Sequence, residues 1–282
     1  MNETITYIQK SLEALYPPEE IRSLTQWILE KVCNLSRHQQ ILHKNTQLSC
    51  TEKESIQMIV QRLKNSEPVQ YIFGETEFYG LPFMVTPAVL IPRPETEELV
   101  HRIFQEQKVS GLRVIDIGAG SGCIAVTLAR KLTDAQVYAL DISEDALQIV
   151  QQNAQQNGAT VQCMQADILS VDLQKDPALP LFDLIVSNPP YVRESEKATM
   201  RPNVLDYEPH LALFVRDEDP ILFFRRIAEF GLDKLTENGF IYVEINEVYG
   251  EMIEQMFHQK GYQRVERMCD LFGKERFIKA RR

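Results

Sequence analysis

The residues best suited to chemistry are Asn188-Pro189-Pro190-Tyr191, which follow the apolar run FDLIVS. Two consecutive prolines remove two backbone donors, so the carbonyl groups beside them have no competing N–H. The Asn188 side-chain oxygen and the Pro189 carbonyl are two acceptors that suit the two hydrogens of one amino group. Pro190 restricts the conformation of Pro189, and Tyr191 offers a flat face for a planar amide or base. The loop therefore predicts a binding site for an amide or aryl amine.

Two fixed acceptors on one planar amino group would make its nitrogen more nucleophilic. The nitrogen lone pair of an amide or aryl amine is delocalised, and the acceptors would draw the nitrogen toward tetrahedral geometry. They would also orient the recovering lone pair toward a methyl donor and stabilise the positive charge that grows on nitrogen. Because the proton can then leave to water, no strong base is needed. We expect Asn188, Pro189 and Tyr191 to be catalytic, and these three together with Pro190 to bind the substrate.

A glycine-rich loop predicts the site of the methyl donor. Gly118, Gly120 and Gly122 lie between a strand and a helix in VIDIGAGSGCIAV, with the spacing G-x-G-x-G instead of the G-x-G-x-x-G of dinucleotide folds. The helix N-terminus offers free N–H groups. Asp141 ends the next strand, where a carboxylate can accept from both ribose hydroxyls. This arrangement suits S-adenosyl-L-methionine, a nucleoside with an amino-acid tail, better than a pyrophosphate.

Three further residues are expected near the same cofactor. Asp116 precedes the glycines and would either hold the loop through backbone N–H groups or meet an ammonium group. Asp167 and Ile168 end the third strand, where the carboxylate would accept from the adenine amino group and Ile168 would pack on the ring. Metal is not expected, because the 5 cysteines and 5 histidines are dispersed along the chain.

The pattern of elements predicts an α/β protein with an added helical domain. From Gly111 onward, buried-strand runs alternate with helical runs, and two extended runs close the chain. This order predicts a doubly wound, mixed seven-stranded sheet whose final pair of strands is antiparallel. Apolar residues at three- and four-residue spacing predict a small helical bundle before it. The expected domains are 1–72 (helical), 73–92 (a β-hairpin linker) and 93–282 (catalytic).

Charge and composition narrow the classes of partner. The net charge is −10 at pH 7 and the pI is near 5.1, which weighs against direct binding of nucleic acid. No apolar run is long enough to cross a bilayer, so no membrane partner is expected. The beginning of the sequence lacks a secretory pattern, and scattered, unpaired cysteines are typical of a reducing compartment. These observations predict a cytoplasmic location.

Several segments together resemble one known family, the peptide chain release factor N(5)-glutamine methyltransferases. The similarity covers nearly the whole chain and is carried by DIGAGSG, SNPPYV, EPVQYIFGETEFYGLPFMVTPAVLIPRPETEELV, YEPHLALF and DLFGKERF. It implies a Rossmann-like, class I adenosylmethionine-dependent methyltransferase with a helical N-terminal domain that recognises the substrate. It also implies methyl transfer to the side-chain amide nitrogen (N5) of the glutamine in the Gly-Gly-Gln motif of class I release factors.

The same resemblance implies roles for individual residues. Asn188 would touch both the cofactor region and the substrate glutamine, which the segment 188–191 would grip. Arg93 and Glu95, in PRPET, would either line the pocket or belong to a structural loop. The implied cofactor residues are Gly118, Ala119, Gly120, Ser121, Gly122, Asp141 and Ile168.

Three alternatives stay open at the level of sequence. A ribosomal-protein glutamine methyltransferase would share the fold, the cofactor and the Asn-Pro-Pro-Tyr motif, with a different N-terminal docking domain. A DNA or RNA amino methyltransferase would also share the motif, but the acidic charge and the lack of an evident basic arm argue against it. A non-catalytic adenosylmethionine-binding protein would have no use for the acceptors of an intact Asn188 loop. The sequence does not indicate the oligomeric state.

Overall fold

The chain divides into two compact units in a computed structural model that describes residues 1–42, 46–170, 173, 176–177 and 179–282. The helical unit comprises Met1–Phe73 together with Pro202–Tyr207. The sheet unit comprises Gly74–Arg201 and Glu208–Arg282. The segment Pro202–Tyr207, which the sequence places within 93–282, therefore groups with the N-terminal helices.

Amphipathic helices build the helical unit around one apolar core. Ser49 caps the N-terminus of the helix Cys50–Lys64, because its hydroxyl accepts from the Glu52 N–H at 3.2 Å while the Glu52 carboxylate accepts from the Ser49 N–H at 2.7 Å. Ile8, Ile28 and Ile56 are fully buried in the shared core. The helices are α1 (Asn2–Leu12), α2 (Pro18–Cys33), α3 (Arg37–Leu42), α4 (Cys50–Lys64) and α5 (Val69–Phe73).

A hairpin and a seven-stranded sheet form the sheet unit. The hairpin consists of the antiparallel strands β1 (Glu75–Phe78) and β2 (Leu81–Met84). Two short strands, β7 (Val192–Arg193) and β8 (Phe214–Val215), form a separate parallel pair. The strands of the main sheet are β3 (Arg113–Ile117), β4 (Gln136–Asp141), β5 (Val161–Gln165), β6 (Phe182–Ser187), β9 (Leu235–Glu244), β10 (Gln263–Cys269) and β11 (Glu275–Arg281).

The strand order in the main sheet is β10-β11-β9-β6-β3-β4-β5. Neighbouring strands are parallel from β9 to β5, and β11 is antiparallel to both β9 and β10. The predicted mixed, doubly wound sheet of seven strands is thus confirmed. Its last strand in sequence lies inside the sheet, and β10 and β5 form the two edges.

Helices cover both faces of the sheet, which explains the continuous apolar runs of the parallel strands. Successive residues of β3 point to opposite faces, so that Val114 joins one core and Ile115 the other. Both side chains are fully buried. The longer helices are α6 (Pro94–Glu106), α7 (Cys123–Lys131), α8 (Glu144–Gln156), α9 (Leu222–Lys234) and α10 (Gly250–Gln259).

Asn153 of α8 ties the hairpin to the loop before α7. Its side-chain oxygen accepts from the Met84 N–H at 2.7 Å, and its amide group donates to the Met84 carbonyl at 3.0 Å and to the Ser121 carbonyl at 2.8 Å. The residue is fully buried, so water does not replace these bonds. The glycine-rich loop is therefore held from behind by a side chain of the neighbouring helix.

Within the part of the chain that the structure describes, no helix combines the length and the apolar character needed to span a membrane.

Candidate active site

A cavity of about 350 Å³ opens at the carboxyl ends of the parallel strands. Its wall includes the last residues of β3, β4 and β6, such as Ile117, Asp141 and Ser187. Ligands bind at this position in open α/β sheets, beside the point where the strand order reverses. The volume is within the range of small-molecule and cofactor sites.

Most of the expected cofactor residues line this cavity. The glycine loop contributes its backbone, β4 contributes its terminal carboxylate, and the segment after β5 contributes an acid and an aliphatic side chain. The lining residues of this group are Gly118, Ala119, Gly120, Ser121, Asp141, Asp167 and Ile168. Asp116 and Gly122 lie behind the wall instead of in it, among the described residues. Ile142, which the sequence reasoning missed, is 46% exposed in the wall; an exposed apolar residue directly after the acidic strand end was the signal for it.

Asp141 is positioned by the backbone groups around it. One carboxylate oxygen accepts from the Gly120 N–H at 2.9 Å, and the other accepts from the Ser143 N–H at 2.9 Å. Burial raises the pKa of Asp141, and the hydrogen bonds from Ser143 and Gly120 oppose this rise. Each carboxylate oxygen keeps a second lone pair. The group is thus held in place with capacity left for two hydroxyl donors, which fits a ribose.

Asp116 accepts a hydrogen bond from a backbone N–H group. One of its carboxylate oxygens accepts from the Ala125 N–H of α7 at 3.1 Å, and the other has no partner among the described residues. Burial raises the pKa of Asp116 to about 7, the Ala125 hydrogen bond opposes this, and the negative charge of Asp141 raises it further. Of the two expected roles, the structure shows the hydrogen bond from a backbone N–H. That N–H belongs to the helix after the glycines and not to the glycine loop itself.

Gly122 forms the turn into α7 and also lies in close contact with helix α8. Its φ is +77°, and a Cβ built there would lie 3.0 and 3.1 Å from the two Cγ atoms of Val150. We expect Gly122→Ala to lower the free energy of unfolding by about 2–4 kcal/mol, because backbone strain and overpacking add.

Gly158 provides the matched control for that measurement. Its φ is +60°, and nothing lies within 4 Å of a Cβ built there. Gly158→Ala should therefore cost only the backbone strain, about 1 kcal/mol. Urea unfolding of both variants measures the difference. Equal losses would show that Val150 moves aside without cost.

The Asn188 loop lies across the cavity from the glycines. Asn188, Pro189 and Pro190 line the cavity, whereas Tyr191 does not. The Asn188 amide group donates to the Thr96 hydroxyl at 3.1 Å, and no bond to its side-chain oxygen is present among the described residues. The Tyr191 hydroxyl donates to a Glu244 carboxylate oxygen at 3.0 Å. Pairing of β7 with β8 fixes the backbone that follows.

Thr96 and Glu244 are functional candidates that the sequence reasoning missed. Thr96 is in the first turn of α6 and donates its hydroxyl hydrogen to the second Glu244 oxygen at 2.7 Å. Glu244 ends β9 and is 1% exposed. Burial raises the pKa of Glu244, and the bonds from Thr96 and Tyr191 oppose this rise. Two sequence signals pointed to them: the threonine of PRPET, and an acid at the carboxyl end of a strand beside the site.

Arg93 lines the cavity, whereas Glu95 does not, among the described residues. The Arg93 guanidinium forms an ion pair with Glu208 at 2.5 Å, and the second Glu208 oxygen accepts from the Ile91 N–H at 3.2 Å. The Glu208 side chain is 1% exposed. A buried carboxylate needs such a partner, so Arg93 has a structural function whether or not it also meets a ligand.

The described residues contain no group of three or more histidine, cysteine or acidic side chains that would hold a metal ion. All five cysteines are free thiols.

Comparison with solved structures shows which class of fold this protein has. A methyltransferase from Pyrococcus furiosus matches with a TM-score of 0.51 and 16% identity, covering 78% of this chain and 96% of that chain. A Thermus thermophilus 16S rRNA N2 G1207 methyltransferase, solved with AdoMet and guanosine, matches with a TM-score of 0.51 and 18% identity, covering 74% of this chain and 49% of that chain. Identity at this level shows the fold alone. Together with the order of the seven strands, these matches show the fold of class I methyltransferases.

Sequence comparisons then identify the family. The model of the methyltransferase small domain matches residues 95–205, and that of the PrmC N-terminal domain matches residues 3–74. A release factor glutamine methyltransferase of Bacteroides thetaiotaomicron is 45% identical over 282 residues, covering 100% of both chains. One of Flavobacterium psychrophilum is 41% identical over 279 residues, covering 97% of this chain and 96% of the relative. The chain belongs to the release factor glutamine methyltransferase family, as the resemblance of its motifs predicted.

Proposed function

We propose that this chain transfers a methyl group from S-adenosyl-L-methionine to N5 of the glutamine in the Gly-Gly-Gln motif of class I peptide chain release factors. The observation that carries the proposal is the 45% identity to a release factor glutamine methyltransferase over the full length of both chains. The cavity supports the same chemistry, because the Asn188 loop and the glycine loop line one space.

The residues of the glycine side would hold the cofactor. Asp141 would accept from the ribose hydroxyls, and the backbone of 118–122 would allow close approach of the amino-acid tail. Asp167 would accept from the adenine amino group, and Ile168 would pack on the ring. When bound, S-adenosyl-L-methionine supplies an electrophilic methyl group on its sulfonium.

The residues of the Asn188 loop would hold the substrate amide. The Asn188 side-chain oxygen and the Pro189 carbonyl accept its two N–H hydrogens, orient the nitrogen and stabilise the positive charge that develops there. Pro190 restricts Pro189. The proton then leaves to water. Tyr191 would also contribute to binding of the glutamine amide, but its ring does not line the cavity, so we place its contribution in the bond from its hydroxyl to Glu244, which would hold the loop that carries Asn188.

The domains take complementary roles in this proposal. Residues 1–72 form the substrate-recognition domain, 73–92 the β-hairpin linker and 93–282 the catalytic domain. The enzyme acts in the cytoplasm, which agrees with its five free thiols. Its partner is the release factor, without direct binding of nucleic acid, in line with the net charge of −10.

A methylation assay with four substrates tests the proposal. The protein is incubated with labelled S-adenosyl-L-methionine and, separately, a class I release factor, the same factor with its Gly-Gly-Gln glutamine changed to asparagine, a ribosomal protein and nucleic acid. We expect label on the first alone, with mass spectrometry placing the methyl group on that glutamine. A methyl group on a ribosomal-protein glutamine or on a base, with none on the release factor, would refute the proposal.

A further inference from the structure

Four side chains form one hydrogen-bonded chain, of which Asn188 and Thr96 line the cavity and Glu244 and Tyr191 do not. It runs from Tyr191 to Glu244, then to Thr96 and Asn188, with donor–acceptor distances of 3.0, 2.7 and 3.1 Å. We infer that Glu244 and Thr96 are positioning residues that fix which way the Asn188 amide faces, so that its oxygen is presented to the substrate amide. The inference deepens the proposed function and rests on it for the identity of that substrate.

The direction of each hydrogen bond follows from the chemistry of Glu244. An ionised carboxylate has no hydrogen and only accepts. Thr96 has a single hydroxyl hydrogen, and it is given to Glu244. The Thr96 oxygen can therefore only accept from Asn188, so the donor must be the Asn188 NH₂ group. The side-chain oxygen of Asn188 is left facing away from Thr96 as an available acceptor.

This direction matters because the two orientations of an asparagine amide are nearly equal in shape. The terminal torsion of asparagine has a broad, roughly two-fold profile, so sterics alone do not select one orientation. In the reversed orientation, the Asn188 NH₂ group would point N–H hydrogens at the N–H hydrogens of the substrate amide. The acceptor on which methyl transfer depends would be replaced by a repulsive contact.

The burial of Glu244 and Thr96 makes this hydrogen-bonded chain favour one orientation of the Asn188 amide. Glu244 is 1% and Thr96 is 2% exposed. A bond lost between buried groups is not replaced by water, so the wrong orientation of Asn188 leaves an unsatisfied polar group. Tyr191 donates to the other Glu244 oxygen, so both carboxylate oxygens have a hydrogen-bond partner. Glu244 thus selects the orientation of an amide that it does not touch.

This selection of the Asn188 orientation requires Glu244 to be ionised. The groups that face Glu244 besides Thr96 are Glu95 of α6, Tyr191 of the loop, Arg276 of β11 and Cys123 of α7. Burial and the charge of Glu95 raise the pKa of Glu244, while its hydrogen bonds and Arg276 lower it. Once protonated, Glu244 becomes a donor and Thr96 is free to donate to Asn188. Turnover should therefore fall as the pH drops through the pKa of Glu244.

Three substitutions test the inference. Glu244→Gln keeps the shape but adds an NH₂ donor, Thr96→Val keeps the shape but removes the hydroxyl, and Thr96→Ser keeps the hydroxyl. We expect kcat to fall about 100-fold in the first two and less than about threefold in Thr96→Ser, with the Kd for S-adenosylmethionine changed less than about threefold throughout. The part of the acidic limb of the kcat–pH profile that is due to Glu244 should disappear in Glu244→Gln, so the apparent pKa of that limb should change. Wild-type turnover in Glu244→Gln, or an acidic limb with an unchanged apparent pKa, would overturn the inference.

A measurement without substrate separates this inference from the proposed function. In ¹H–¹⁵N spectra of the whole protein, the Asn188 NH₂ group is assigned by its disappearance in Asn188→Asp. Its hydrogens should exchange with water about tenfold faster in Thr96→Val than in the unchanged protein or in Thr96→Ser. Equal exchange in all three proteins would overturn the inference, even if the enzyme acted on some substrate other than a release factor.

Discussion

Replacement of Asn188 by alanine is expected to lower kcat by about 10²- to 10³-fold, the usual loss when one preorganised polar group that stabilises developing charge is removed. The substitution removes the side-chain oxygen that would accept from the substrate amide, and leaves only the Pro189 carbonyl. Asn188 is in the cavity wall, but in the proposed function the glycine loop and Asp141 would provide most of the cofactor contacts. The Kd for S-adenosylmethionine should therefore change only about threefold. Single-turnover methylation and calorimetric titration of the cofactor measure the two effects separately.

Asn157 supplies the matched control for this substitution. It ends helix α8 outside the cavity wall, where its side chain donates to the Pro82 carbonyl at 2.8 Å. Asn157→Ala should keep turnover within about twofold, since it touches none of the reacting groups. If Asn188→Ala also retained turnover, or lost it only through weaker cofactor binding, the two-acceptor mechanism would be wrong.

Replacement of Asp141 by asparagine is expected to raise the Kd for S-adenosylmethionine about 100-fold, because hydrogen bonds to a charged group contribute about 1.5–3 kcal/mol each. The carboxylate also accepts from the Gly120 and Ser143 N–H groups. An asparagine NH₂ would face one of these donors, so the glycine loop would also lose an anchor. At saturating cofactor, kcat should stay within about threefold of the unchanged enzyme. The lost hydrogen bonds would stabilise the bound cofactor equally before and during methyl transfer, so their loss weakens binding without raising the barrier of the chemical step.

Asp145 offers a control of the same chemistry. It is an exposed acid in the first turn of α8 and does not line the cavity. Asp145→Asn should leave the cofactor Kd within about twofold. An unchanged Kd in Asp141→Asn would contradict the assignment of the ribose to that carboxylate.

Much of the fold and of the cavity was predictable because the relevant signals are local. Buried-strand runs separated by helical runs predict parallel strands, and the carboxyl ends of parallel strands share one edge of the sheet. Gly120, Asp141 and Asn188 each follow or end such a strand. Their proximity around one cavity therefore follows from topology, without knowledge of any side-chain contact. Their roles in binding and catalysis stay predictions.

The contacts behind the cavity were not predictable, because they join distant segments. Thr96 and Glu244 are 148 positions apart, and nothing local in either helix α6 or strand β9 indicates the other. The orientation of Tyr191 was missed for the same reason: its hydroxyl has a partner at the end of strand β9. The grouping of Pro202–Tyr207 with the helical unit likewise depends on tertiary contacts, such as the bond from the Tyr207 hydroxyl to the Asn65 carbonyl at 2.8 Å.

The interior position of β11 has a consequence for how this chain matures on the ribosome. Strands β9 and β10 emerge before β11, yet each pairs with β11 in the finished sheet. Until residues 275–281 are available for pairing, the backbone of Phe240–Glu244 has an unpaired side. Such an open edge is the surface on which nascent chains aggregate. The methyltransferase sheet is thus completed from the inside by the strand that carries the buried Phe277 and Ile278.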